Sequence, residues 1–398
     1  MLQKENQAPG YLQQVNSVFE NAKQIAEQNR SNRSLTDSIY HVQVVVHVVH
    51  TSAAENIPDS VIYNQIEILN RDYRRKNADT VQTRACFLPV AADAGIEFYL
   101  ANTDPDGNPT NGITRTLGHP QIAFLGFNPA SDEIKNATTG KTPWPTDRYL
   151  NIWVGNIFFG IVLGYAFPPD NAPNWPAGSA TDSAHQGVVL HYAAVGSNFS
   201  APIDPTVSGG RSAVHEIGHY FGLRHIWGDS TDCVVDDGFS DTPFAADASQ
   251  QTCDTTINSC VDTPVDFPDM IENYMDYSDD RCLNVFTQEQ IGVMRAMLAT
   301  SRNGIAYVTG EATAIKNISA LEGIEISPNP STGIFKLTAK GKEDLNFEVY
   351  NAIGETVIAS QNFSSFASIN LSSFSAGIYF AKVSSRENVV VKRLVLNR

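Results

Sequence analysis

Residues 215–225 read His215-Glu216-Ile217-Gly218-His219-Tyr220-Phe221-Gly222-Leu223-Arg224-His225. This string limits the possible folds more than any other, because it commits three imidazoles and a glycine to one local geometry. The spacing predicts a helix over 211–224 on which His215 and His219 stand one turn apart on the same face, the bite a zinc ion needs. Gly222 has no Cβ and can take the left-handed conformation that ends the helix sharply, so that His225 swings back as a third ligand. Three neutral imidazoles leave the fourth tetrahedral position for water. Glu216 follows the first ligand directly and can reach that water as general base. An isolated H-E-x-x-H often arises by chance on an ordinary helix, but the further Gly and His at fixed offsets make chance a poor account. The other six histidines (His41, His47, His50, His119, His185, His191) are scattered. His47 and His50 lie in an apolar run and read as core or edge residues.

The charge is as uneven as the motif is compact. Residues 229–280 hold 14 Asp/Glu and no Lys or Arg, against a whole-chain net charge of -16. Such a stretch repels nucleic acid and favours cations or basic substrates. Four of the five cysteines, Cys233, Cys253, Cys260 and Cys282, fall in or beside it without any C-x-x-C pair. They read as two disulfides stapling loops that lack a core, with three possible connectivities, and imply an oxidising compartment. Cys86 has no evident mate and reads as a free thiol, buried or partly exposed. The run 236–242, Asp236-Asp237-Gly238-Phe239-Ser240-Asp241-Thr242, gathers hard oxygens around a glycine turn, which suits Ca²⁺.

With 398 residues, two or three domains are expected. Helices are expected over 11–29, 61–71 and 287–299, the last opened by the capping pattern Thr287 with Gln290. Strands are expected over 40–50, 96–101, 149–154 and 187–192. From residue 324 short alternating runs (334–338, 345–350, 357–359, 378–383, 389–396) separated by turn signals indicate a small β-sandwich. This gives an α+β chain: a helical segment 1–37, a catalytic domain 38–305, a linker 306–322 and an all-β sandwich 323–398. No transmembrane segment is expected, since no apolar run approaches the roughly 20 residues a membrane helix needs. The N-terminus shows no apolar signal segment, which leaves a cytoplasmic protein or one whose signal is removed. The cysteines favour the exported alternative.

The extended histidine motif, together with Asn273-Tyr274-Met275-Asp276-Tyr277, resembles the metzincin clan of zinc metalloproteases. Further stretches narrow the likeness to the pappalysin family and its ulilysin-like members, including cytophagalysins. They are the Val-rich strand 44–50, Asp104-Pro-Asp-Gly-Asn-Pro, Gly187-Val-Val-Leu-His-Tyr, Asp241-Thr-Pro and the segment through Arg281-Cys282. The resemblance implies a twisted mixed sheet, a zinc helix and an irregular C-terminal subdomain. It makes Met275 the floor of a Met-turn and sets Tyr277 beside the zinc to stabilise the tetrahedral oxyanion. It pairs Cys233 with Cys260 and Cys253 with Cys282, and it implies structural calcium, for which Asp229, Asp237, the Phe239 carbonyl and Thr242 are the ligands chosen. It sets Asp280 in the pocket for the residue after the scissile bond, so that peptide and protein substrates are cut before Arg or Lys.

Clan members are commonly held latent by a Cys or Asp of a prosegment, yet no Cys precedes Cys86 and no Asp precedes Asp37. Residues 1–36 therefore cannot supply that switch, and an upstream segment is expected to be missing or removed. The C-terminal region, with Ile326-Ser-Pro-Asn-Pro-Ser-Thr-Gly, Ser375-Ala-Gly-Ile-Tyr and Lys392-Arg-Leu-Val, resembles the sorting domain of Bacteroidetes type IX secretion cargo. That implies a secreted or surface-attached protein whose partner is the outer-membrane secretion machinery; a substrate- or carbohydrate-binding sandwich is the rival for this region. For the whole chain the rival to a metalloendopeptidase is a catalytically silent adhesion or binding protein with structural zinc. Glu216 separates the two, because a structural site needs only ligands.

Overall fold

The computed structural model describes residues 11–30, 38–120, 122, 132–167, 186–197, 205–309, 323–339, 345–351, 356–385 and 389–397. The chain divides into two compact units, 1–312 and 313–398.

The first unit is organised by β1 (Ile39–His50). Val42, Val44, Val45, Val46, Val48 and Val49 are all buried, so both faces of this strand are covered, which suits an interior position in a largely parallel sheet. Its N-terminal half pairs in parallel with β2 (Ile96–Leu100) and its C-terminal half, on the same side, with β3 (Ile113–Leu117). The other side carries β4 (Leu150–Gly155) in parallel and β7 (Ala306–Thr309) antiparallel. Beyond β4 lie β6 (Val188–His191), parallel, and β5 (Gly164–Ala166), antiparallel and at the edge. The sheet is thus mixed, as expected.

Among the described residues four α-helices accompany it: α1 (Tyr11–Arg30), α2 (Asp59–Tyr73), α3 (Arg211–Tyr220) and α4 (Gln288–Ala299). α3 packs on α2, β5 and β6. Two polar contacts hold it there: Gln65 Nε2 donates to the Gly210 carbonyl at 2.9 Å and the Tyr73 hydroxyl to that of Val214 at 3.0 Å. The capping box forms at α4, with Thr287 accepting from Gln290. α1 packs on α4 and contributes Phe19 and Ala22 to the main core. Residues 221–287 form neither helix nor strand. Disulfides Cys233–Cys260 and Cys253–Cys282 cross this irregular stretch, and Cys86 is free and exposed.

The second unit is a sandwich. One sheet runs β11 (Thr356–Phe363), β10 (Leu345–Asn351), β13 (Gly377–Ser384), β14 (Val389–Leu396); the other runs β12 (Phe366–Asn370), β9 (Ile334–Ala339), β8 (Ile324–Ser327). Phe335 and Leu337 from one sheet and Phe347, Val349, Ala381 and Leu394 from the other close a single core.

Two expectations are corrected. Residues 306–309, expected as linker, are β7, because their backbone completes the edge of β1; residues 310–322 lie outside the described ones. The helix expected over 211–224 stops at Tyr220, because Gly222 takes φ +92. No described helix is long and apolar enough to cross a membrane.

Candidate metal centre

The metal helix α3 is set at both ends by contacts outside it. Its N-cap residue, Gly210, is left-handed and offers no side chain. Asp280 substitutes: its Oδ2 accepts from the backbone N–H groups of Gly209 at 2.8 Å and Arg211 at 3.3 Å, placing a carboxylate on the positive end of the helix. At the other end Leu223 N–H donates back to the Gly218 carbonyl at 3.0 Å. A Cβ on Gly222 would lie 2.8 Å from Met297 Cε, in a backbone region that L residues avoid. That turn returns His225 to the helix face.

The three imidazoles meet. His219 Nε2 lies 3.0 Å from His215 Nε2 and 3.0 Å from His225 Nε2. Each Nδ1 faces an acceptor: the Tyr274 carbonyl at 2.7 Å for His215, the Leu223 carbonyl at 2.9 Å for His219, and Asp229 Oδ1 at 2.5 Å for His225. These acceptors keep the proton on Nδ1, so the Nε2 lone pairs converge on one point. Burial and the neighbouring imidazoles lower His215 well below its usual range and His219 to about 3, which keeps those rings neutral. Three nitrogen donors aimed at one point fit zinc with a position left open.

Met275 is fully buried beneath this cluster. A Cβ on Gly218 would come within 2.5 Å of Met275 Sδ, so the glycine is what lets the methionine reach the helix. A cleft of about 570 Å³ opens at the centre, lined by residues 160–164, His215, Glu216, Gln250, Gln251, Tyr277 and Asp280 among others. Burial pushes the Glu216 carboxyl up to about 8. Tyr277 is 46% exposed, and its ring lies 4.9 Å from that of His225 and 4.8 Å from that of Trp227. Burial, then the nearby Glu216, raise its hydroxyl above the ordinary tyrosine value, so it remains a donor.

The residues chosen for calcium divide. Asp237 is fully buried; its Oδ1 accepts from Phe239 N–H at 3.1 Å and Thr242 Oγ1 at 2.8 Å, while its Oδ2 has no hydrogen-bond partner. Thr242 Oγ1 also lies 3.3 Å from the Phe239 carbonyl. Asp229 instead spends its carboxylate on His225. His47 is a core residue, bonded to Thr114 and Asn151. Sequence reasoning passed over Arg211, whose guanidinium joins Asp72, Asp79 and the Asp280 carbonyl, and over Gly164, whose edge strand lies against Glu216.

Known proteins share this arrangement. Residues 133–299 match the family model described as pregnancy-associated plasma protein-A, and residues 325–397 match the secretion system C-terminal sorting domain. An extracellular metalloprotease of Pyricularia oryzae is 30% identical over 268 residues, which are 66% of this chain and 76% of that protein. Another, from Podospora anserina, is 30% identical over 70% of this chain and 82% of its own length. The chain belongs to the pappalysin family of zinc metalloendopeptidases. Mature mirolysin of Tannerella forsythia, solved with a cleaved peptide, is 37% identical across 67% of this chain and 95% of its own, with a TM-score of 0.57. A promirolysin mutant from the same organism is 35% identical across 76% of this chain and 94% of its own, with a TM-score of 0.64. The sorting domain and the extracellular relatives make this pappalysin a secreted or cell-surface protein.

The His225–Asp229 contact generates a prediction. Replacing Asp229 with Ala should weaken zinc binding by about 10- to 100-fold, the usual effect of removing a ligand's hydrogen-bond partner, while the fold persists. Competition against a graded series of chelators measures this, and an unchanged affinity would show that the carboxylate does not brace the ring.

Proposed function

We propose that this pappalysin cleaves peptide bonds on the N-terminal side of Arg and Lys, with Glu216 as general base. The observation that carries the reading is the convergence of three Nε2 lone pairs in a cleft that also contains Glu216, Tyr277 and Asp280. His215, His219 and His225 would hold the zinc. When bound, zinc supplies Lewis acidity, lowering the pKa of water and polarising the scissile carbonyl. Glu216, beside His215 on the cleft, takes a proton from the attacking water and returns it to the departing amine. The Tyr277 hydroxyl, exposed on the cleft and held protonated, donates to the oxygen on which charge develops. The outer edge of β5, unpaired among the described residues, takes the substrate backbone as an added strand; mature mirolysin was solved with a cleaved peptide, which supports a peptide in the equivalent cleft. The sorting domain addresses the protein to an outer-membrane secretion machinery of type IX.

Asp280 has two duties in this reading. Its carboxylate caps α3 and also borders the cleft, where a basic side chain would pair with it. Calcium belongs at Asp237, Phe239 and Thr242, because a fully buried carboxylate oxygen without a partner is costly unless a cation meets it.

Replacing Glu216 with Gln should leave one zinc per chain and lower kcat by about 10²- to 10⁴-fold on a peptide library. Near-normal turnover at full zinc content would assign the base elsewhere. Asp280→Asn keeps an oxygen for the helix cap and removes the charge, so the preference for Arg or Lys over Leu should fall by about tenfold or more. Mapped cut sites that match wild type would refute the pocket. For calcium the sign follows from Asp237, whose carboxyl burial raises to about 8. Between its unfolded value of about 4 and that pH the folded apo form holds the extra proton, so this group's contribution to stability falls as pH rises. Calcium relieves that loss, and the gain in Tm on adding calcium should grow from pH 5 to pH 8; a gain independent of pH would remove Asp237 from the site.

A further inference from the structure

The sheet face turned away from α3 carries a second buried constellation. Lys135 is 2% exposed, and its Nζ lies 2.6 Å from Asp132 Oδ2. The rings of Trp153, Tyr165 and Phe167 surround the ammonium at 5.0, 5.6 and 4.5 Å. Asp132 is equally enclosed, sits at φ +32, and accepts on Oδ1 from the Tyr165 hydroxyl at 2.7 Å. A buried ion pair gives little net stability compared with apolar packing of the same volume, so its presence calls for another reason.

That reason lies in β5. Tyr165 is the middle residue of a three-residue strand whose ladder, among the described residues, joins β6 alone. So short an edge strand fixes its own position poorly. Side chains alternate along it, so while Tyr165 reaches back to Asp132, Gly164 faces the catalytic side. A Cβ there would fall 2.7 Å from Glu216 Cγ and 3.1 Å from its Oε1. Any shift of β5 therefore moves the cleft rim relative to the catalytic carboxylate.

We infer that Tyr165, Asp132 and Lys135 are positioning residues for substrate. Lys135 fixes Asp132, Asp132 fixes the Tyr165 hydroxyl, and β5 is thereby held at one height over Glu216 with its outer edge presented to an extended peptide. The inference rests on the reading that substrate lies along β5.

The test uses the full chain, zinc-loaded, and two quenched fluorescent peptides with the same scissile bond: one of eight residues, and one truncated so that it cannot run along the strand. Wild type should show a lower KM for the long peptide. Tyr165→Phe should raise that KM about fivefold, the factor one lost hydrogen bond implies, with kcat, zinc content and the short-peptide KM little changed. The paired replacement Asp132→Asn with Lys135→Met removes the ammonium that fixes residue 132 without stranding a buried charge, and should raise the long-peptide KM as Tyr165→Phe does, with the short-peptide KM little changed; a long-peptide KM at the wild-type value would overturn the role of the pair. Equal wild-type KM values for the two peptides would overturn the strand reading and the proposal with it. A length-dependent wild type with Tyr165→Phe lowering only Tm, or raising both KM values alike, would overturn the proposal alone.

Discussion

The hydrogen bond from His215 Nδ1 to the Tyr274 carbonyl, 2.7 Å long, joins the metal helix to the segment that carries most of the remaining site. It selects the tautomer that frees Nε2 for metal, and it fixes the height of the 273–277 turn. Met275 follows at once and fills the space that Gly218 leaves open. Three residues beyond Tyr274, Tyr277 lies against the His225 and Trp227 rings. The same segment then returns to α3, where Asp280 caps its N-terminus and the Asp280 carbonyl accepts from Arg211. Arg211 in turn reaches Asp72 on α2 at 3.1 Å, which ties the cap to the main core. The three histidines, the buried Met275 and Asp280 are thus parts of one braced body, and a change at Asp280 acts on the helix that carries His215 and His219.

What the sequence disclosed follows from range. The histidine geometry was legible because one helical turn and one glycine determine it within eleven residues. β1 was legible because a strand covered on both faces shows as a continuous apolar run. Edge and short strands were not: β5 is three residues, and β12, Phe366–Asn370, is an edge strand of mixed polar composition that, among the described residues, pairs only with β9. Their strand character comes from neighbours distant in sequence, and local composition carries little of it. Asp229 shows the same limit for the site. Its place in an acidic stretch suggested calcium, whereas its distance of four residues from His225 brings the carboxylate onto the ligand ring. The buried Lys135 was invisible for a related reason, since nothing local distinguishes a lysine that three aromatic rings and an aspartate enclose from one in solvent.

The acidic stretch itself needs more than a charge argument. Residues 221–287 have no helix or strand, so their backbone N–H groups lack ladder partners and must find acceptors by other means. Aspartate supplies them. Asp232 accepts from Val234 and Val235, Asp236 from Gly238, Asp254 from Thr256, Asp262 from Phe244, Asp269 from Ser259, Asp276 from Ser249, and Asp279 from Arg281. Where the donor lies two or three residues on, as for Asp232, Asp236, Asp254 and Asp279, the carboxylate turns the chain and satisfies it at once, which lysine or arginine cannot do; Asp262, Asp269 and Asp276 instead bridge segments distant in sequence. The density of acid is therefore first a consequence of irregular backbone, with the negative field over the cleft as its by-product. A carboxylate whose oxygens already accept N–H groups has little left for a metal. Asp237 combines two features that these neighbours show singly: it is sealed from solvent, as Asp269 and Asp276 are, and one of its oxygens has no hydrogen-bond partner, as in Asp262. Within a run of like charges, that combination sets Asp237 apart from the surrounding turn chemistry.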